Sequence, residues 1–205
     1  MELTKRQNEI IDASVRLIAR RGIPEFTIKN LAAEIGVTEP ALYRHFPNKA
    51  EIVRTMIARF GEEIPTGRSR KKGVSAIRAF FDAHVGRLLA EPALAKVMFC
   101  EEYFISDPDF SEQMAAMMHR HKEWMEARLV EGIGSGHIRS DIPSGTLFHM
   151  TVGPMRMLFK QWGMSGMKFD LRTECGRQLD ALELLLKPCP AADSTAMRRK
   201  TAKRN

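Results

Sequence analysis

The stretch from Thr27 to Lys49, T-I-K-N-L-A-A-E-I-G-V-T-E-P-A-L-Y-R-H-F-P-N-K, limits what this chain can fold into more than any other. Ile28, Leu31, Ala32 and Ile35 recur at i, i+3, i+4 and i+7, which makes one apolar helix face about two turns long. Thr27 stands before that face as an N-cap, its hydroxyl able to accept from a backbone N–H that the first turn leaves orphaned. Gly36 follows, where a helix commonly closes through a left-handed residue. Val37 is expected at a buried corner, and Thr38 caps a second helix. Pro40 falls in the first turn of that helix, where a missing N–H costs little. Leu42 and Phe46 make its inner face, while Thr38, Glu39, Ala41, Arg44 and His45 face outward, and Pro47 stops it. Two short helices around a tight glycine turn form a helix-turn-helix, whose second helix is short enough to enter a DNA major groove.

The flanking sequence supplies two more helices. Thr4 and Gln7 are spaced as a capping box, so a first helix begins near Lys5, carries Ile10, Ala13, Ser14 and Leu17 inward, and ends at Gly22. A fourth helix starts at Asn48, with Glu51 three residues on and Ile52, Val53, Met56 and Ile57 facing the core.

The spelling of residues 5–60 resembles the N-terminal domain of the TetR family of transcriptional regulators. The run I-I-D-A-S-V-R-L-I-A-R-R-G, Gly36 at the turn, the Tyr43-x-x-Phe46 close and Lys49 just after it carry the likeness. Beyond residue 60 only the helical layout is similar. The resemblance implies operator contacts at Thr27, Thr38, Tyr43, His45 and Lys49. Glu39, Ala41 and Arg44 are the candidates for reading bases, and Lys29 and Pro40 complete the surface. It also implies a small effector held among the C-terminal helices, with the fourth helix linking head to body.

Charge is distributed accordingly. The net charge of +7 divides into +3 over residues 1–60, −2 over residues 61–64, +4 over residues 65–72, −3 over residues 73–186 and +5 over residues 187–205. A basic head on a mildly acidic body fits a DNA-binding protein. A basic tail is also explained by solvation alone.

Hydrophobic content of 44% excludes general disorder. Cys100, Cys175 and Cys189 are odd in number and lack Cys-x-x-Cys spacing, which argues against a disulfide framework or a zinc site. The first ten residues are polar and charged, and no apolar run reaches the roughly 18–20 residues that span a bilayer. A soluble, cytoplasmic protein without membrane, metal or cofactor is therefore expected. No Gly-rich phosphate loop, His-Glu-x-x-His or Gly-x-Ser-x-Gly is present, and His119 and His121 point to different helix faces. An enzyme is not expected.

The expected fold is all-α, with about nine helices. Residues 1–60 form a three-helix helix-turn-helix DNA-binding domain with a linking fourth helix. Residues 61–187 form an effector-binding and dimerisation domain, and residues 188–205 a disordered basic tail. Pro65-Thr-Gly-Arg-Ser-Arg-Lys-Lys-Gly73 is the composition break between head and body. Ten of the thirteen methionines lie in residues 98–167. Methionine fills irregular space and adapts to different shapes, so core filling and a malleable ligand cavity both account for them. The family resemblance favours a cavity, lined by Phe81, His84, Met98, Phe104, Met118, Trp124, Met125, Met155 and Phe159. Arg128 and Arg156 are candidate partners for a carboxylate. Such a wall suits a small hydrophobic or amphipathic effector.

The last two helices carry more apolar surface than one chain of this size covers. Leu147, Met150, Pro154 and Leu158 mark one face of the first, and Phe148, Val152, Met155, Phe159 and Trp162 another. A homodimer seam at Phe148, Val152, Phe159, Leu179 and Leu182 follows, matched to a palindromic double-stranded operator. Two functions remain open at this level. One is a repressor released by its effector, and the other is an architectural, chromosome-organising DNA-binding protein that needs none.

Overall fold

The computed structural model describes residues 3–61, 71–97 and 108–188, whose regular structure is helical, with no strand among them. Nine α-helices occur in this part of the chain: α1 (Lys5–Arg21), α2 (Ile28–Ile35), α3 (Glu39–Tyr43), α4 (Lys49–Gly61), α5 (Gly73–Ala90), α6 (Leu94–Val97), α7 (Pro108–Gly134), α8 (Ser144–Met164) and α9 (Leu171–Leu186). Met98, Phe104, Cys100, the linker residues 65–70 and the basic tail beyond residue 188 lie outside the described residues.

Local chemistry sets the helix ends. Thr4 and Gln7 form the capping box of α1, and Gly22 closes that helix. The Asn48 side chain accepts from the Glu51 amide at 2.8 Å and so starts α4. Asp170 does the same for α9, accepting from the amides of Arg172 and Thr173 at 3.0 and 3.2 Å. Pro143 leads into α8, which runs on through Pro154.

The head is α1 packed across α2, α3 and α4, with Ile10, Leu17, Phe26, Leu31, Leu42, Phe46, Ile52 and Met56 almost fully buried between them. In the body, α7 packs against α4, α5 and α8, while α9 lies against α5 and α8. Phe81, Val85, Met125, Leu129, Met155 and Phe159 fill the space between α5, α7 and α8. An arginine fork fastens α9 to α5: Arg78 reaches Asp180 at 2.5 Å and Glu183 at 2.7 Å.

Burial changes the expected seam. Leu147, Thr151, Met155, Phe159 and Trp162 form one buried line along α8, and Leu171, Cys175, Leu179, Leu182 and Leu186 form another along α9. Phe159, Leu179 and Leu182 are therefore covered within one chain, by α5 and by each other's helices, and are not available to a second copy. Phe148 and Val152 are half-buried against the same core. The exposed apolar side chains sit elsewhere on these helices, at Met150, Met157 and Met164 of α8 and Leu184 and Leu185 of α9. The first three recur every seven residues, so they share one face.

Candidate functional site

The head presents a single polar ridge. Thr27 caps α2 by accepting from the Asn30 amide at 3.1 Å. Gly36 adopts φ 74 and ψ 36, and the Val37 and Gly36 amides bond back to Ala32 and Ala33, which closes α2 in a Schellman motif. The turn throws the chain directly into α3, capped by Thr38 through the Ala41 amide at 3.4 Å. Leu42 and Phe46 are buried at 1% and 2% exposure and pin α3 to the head, and Gln7 of α1 donates to the His45 carbonyl at 3.1 Å. With its inner face held this way, α3 leaves Thr38, Glu39, Pro40, Tyr43 and Arg44 exposed, with Ala41 and His45 half-buried.

Thr27 and Lys29 extend this ridge onto the start of α2, and both are exposed. Lys49, at the start of α4, lies over the Phe26 ring with its ammonium 5.1 Å from the centroid. That cation–π contact holds the lysine beside the segment carrying Thr27. Among the described residues no ion pair joins Glu39 to Arg44. The ridge thus offers hydroxyls, an imidazole, a phenol, a guanidinium and an ammonium over one short helix and two helix starts, the donor set that phosphate and base edges require.

In the body, the candidate effector residues divide. Phe81, His84, Met125, Met155 and Phe159 are buried, and Trp124 is half-buried beside them. Phe80, which is not among the expected lining residues, is their hub. Its ring stacks on Trp124 at 5.3 Å, meets Phe81 edge-on at 5.3 Å and lies 4.3 Å from His84 and 5.8 Å from His121. Arg128 sits over Trp124 with its guanidinium carbon 5.8 Å from the ring centroid and is half-buried, as is Arg156. Met118 does not belong to this wall: it is 43% exposed on the outer side of α7.

His84 and His121 give the cluster its polarity. The His84 Nδ1 lies 2.9 Å from the Phe80 carbonyl, so in the neutral ring this nitrogen carries the proton. Burial pushes the His84 pKa below 6.5, the Phe80 carbonyl acting the other way. His121 is pushed down to about 4, by burial first and then by the charges of His84 and Arg120, with the Gly61 backbone opposing. Both rings are neutral at pH 7. The Nε2 of His121 is buried without a hydrogen-bond partner, while the Nε of Arg128, two turns along α7, has only the long ion pair to Glu131 at 3.7 Å. Buried polar atoms of this kind are uncommon and mark places where a further partner fits.

A cleft lies where the head meets α7 of the body. It measures about 930 Å³ and is walled by α4 and α7, with Arg54, Arg59 and Arg120 on its rim. The space between α5, α8 and α9, by contrast, is about 10 Å³. Beside the cleft, Arg59 of α4 bonds Asp12 of α1 at 2.5 Å and Glu91, just after α5, at 3.0 Å. Arg87 of α5 donates to the Arg59 carbonyl at 3.2 Å, and Lys96 of α6 to the Ala19 carbonyl of α1 at 3.4 Å. The head therefore meets the body through α1 as well as α4, whereas the sequence suggests α4 alone.

A family model for bacterial regulatory proteins of the tetR family matches residues 10–56, and one for the YsiA-like protein C-terminal region matches residues 51–187. The chain belongs to the TetR family. It is a helix-turn-helix transcriptional regulator, and proteins of this family bind operator DNA as dimers. The TetR-family chain is 25% identical to the fatty acid metabolism regulator protein of Bacillus subtilis over 171 residues, which cover 80% of this chain and 86% of that protein. Its fold matches the fatty acid degradation regulator FadR of Bacillus halodurans with a TM-score of 0.75 at 20% identity, covering 89% of this chain and 97% of the other. The FadR of Bacillus subtilis, solved in complex with stearoyl-CoA, matches with a TM-score of 0.73 at 23% identity over 87% and 97% of the two chains. The nucleoid occlusion factor SlmA of Photobacterium profundum is 38% identical, but over 68 residues that make up 33% of this TetR-family chain and 35% of SlmA. Among the described residues, no helix is long and apolar enough to cross a membrane.

Two groupings of residues could not be read from the sequence of this TetR-family chain. Phe80 and His121 fall in the inward stripes of α5 and α7, but the helical period marks a broad face and not the single ring where the two stripes meet. The arginines of the cleft carry no motif; only the packing of α4 on α7 brings them together.

Proposed function

We propose that this regulator is a repressor that leaves a palindromic operator when an amphipathic, acyl-bearing effector occupies its body. The observation that carries this reading is the 171-residue likeness to the Bacillus fatty acid metabolism regulator, which extends well past the head. The likeness to the nucleoid occlusion factors spans only 68 residues. It is no longer than a shared DNA-binding head requires, so the architectural alternative has little support from it. The body chemistry agrees. Phe81, Trp124, Met125, Met155 and Phe159 suit an acyl chain, and the neutral His84 and His121 with Arg128 suit one polar group.

In this reading residues 1–60 read DNA and residues 61–187 bind effector and dimerise. Met150, Met157, Met164, Leu184 and Leu185 form the seam between copies, in place of the buried Phe159, Leu179 and Leu182. Two heads then meet half-sites about 34–36 Å apart, or a multiple of that distance. The effector acts only through its preference for the body shape that spoils this spacing. The test is fluorescence anisotropy on operator DNA from upstream of the gene, with stearoyl-CoA, CoA and stearate added separately. Release by an acyl-bearing probe is expected. Retention of the operator with all three overturns the acyl effector.

A further inference from the structure

We propose that Glu39 selects the operator by repulsion. Its carboxylate admits a base that presents an exocyclic amino group in the major groove, cytosine above all, and drives the head off sequences that present only acceptors there. This rests on the operator binding of the family and is independent of any effector.

The other carboxylates described in the head all have a side-chain partner. Arg6 pairs with Glu9, Arg20 with Glu34, Arg54 with Glu51 and Arg59 with Asp12, while Asn30 donates to Glu25. Glu39 is the exception. It is exposed, and among the described residues no ion pair or side-chain hydrogen bond reaches it. Helix formation does not call for it either. An acidic side chain in a first turn gains a little from the helix dipole, but α3 is five residues long and Thr38 already caps it.

The ridge that carries this charge faces a polyanion. A fixed carboxylate there is repelled by the phosphates of every duplex, whatever its sequence. Only a donor on a base edge offsets the repulsion. In the major groove cytosine offers its N4 amino group and adenine its N6 amino group, whereas guanine offers O6 and N7 and thymine O4, all acceptors. Cytosine leads because adenine sets the N7 acceptor beside its amino group. Against guanine or thymine the carboxylate is desolvated without a partner, which adds to the repulsion. A group of this kind raises specificity by penalising the wrong partners, at a cost in overall affinity.

The carboxylate cannot simply turn away with its helix. Leu42 and Phe46 pin the inner face of α3, and Gln7 of α1 holds the His45 carbonyl. Glu39 and Arg44 are five residues apart, about 7.5 Å along the helix axis, close to two base-pair steps. Arg44 finds its best base in guanine, through O6 and N7. Each half-site should therefore carry a cytosine and a guanine about two base pairs apart, one read by each side chain.

The test is selection of binding sites from a library of randomised duplexes by the full chain, by Glu39→Ala and by Glu39→Gln. Competition between the enriched site and its single-base-pair variants then measures each preference. Glu39→Ala should bind random-sequence duplex about three-fold more tightly than the parent, a gain that fades as salt is added. At one base pair per half-site the parent should favour cytosine over guanine by about ten-fold, and Glu39→Ala by less than about two-fold. Glu39→Gln should move that preference to adenine, whose N6 and N7 an amide matches. Thermal melting separates a supporting role in α3. If Glu39→Ala melts lower and weakens every duplex alike, the proposal is overturned. An unchanged base preference in Glu39→Ala overturns it too, as does a parent preference for guanine or thymine at the pair affected. If the preference lost in Glu39→Ala is the one lost in Arg44→Ala, the glutamate acts only by steering the arginine, and direct selection falls. A parent that enriches no sequence at all overturns the operator reading along with it.

Discussion

At the scale of single residues, Lys49 and Arg44 have separable roles on the DNA surface. Lys49 is held over Phe26, and its ammonium reaches a backbone phosphate without choosing among bases. Lys49→Ala should weaken all operator sequences alike and reduce the salt-dependence slope of a dimer by about 2, one phosphate contact per subunit. Arg44 is exposed on the groove face, and Arg44→Ala should cost about 1–3 kcal/mol on the true operator and little on random DNA. Competition binding at several salt concentrations checks both. The two histidines add a pH dependence. Their folded pKa values lie below 6.5, so as pH falls the unfolded chain takes up protons first. The stability they leave intact is full above about pH 6.5 and declines down to about pH 4, where His121 itself protonates. Melting temperatures measured from pH 7 to 4.5 should drop across that window, and His121→Gln should flatten the decline.

At the scale of helices, legibility follows the range of the interaction. Caps and stops depend on neighbours three or four residues away, so Thr4, Thr27, Gly36, Thr38 and Asn48 could all be read as text. The packing of α5 on α7 depends on residues forty apart, and no period shows that Phe80 rather than Phe81 meets Trp124. The α9 stripe was legible as a stripe but not by what covers it. A run of Leu171, Cys175, Leu179 and Leu182 looks the same whether it faces a partner or its own α5 and α8. The buried Cys175 thiol, its pKa raised to about 11 by burial and then by Asp82, is inert for the same reason. Gly36 gives a clean test of the element it closes. A Cβ there meets nothing within 4 Å, so Gly36→Ala is penalised only by its left-handed backbone. The expected loss is about 1–2 kcal/mol, seen as a melting temperature lower by several degrees with operator affinity reduced in parallel.

At the scale of the whole molecule, the outer face of α8 and α9 decides assembly. Met157 and Leu184 are 55% and 65% exposed, so charging them leaves the protomer core intact. The double variant Met157→Glu, Leu184→Glu should sediment as a folded monomer at micromolar concentration and bind a single half-site weakly. A parent-like dimer would move the seam elsewhere. The ties between head and body carry a different consequence. Asp12 and Ala19 of α1 are met by Arg59 and Lys96, and Arg59 continues to Glu91. The head is therefore not an interchangeable part. A chimera that grafts residues 1–60 onto a relative's body will inherit the operator preference. It will respond to that body's effector only if that body offers an acceptor matching Glu91 and donors matching Arg87 and Lys96. Sensor designers who cut at the end of α4 should expect heads that bind DNA and do not listen.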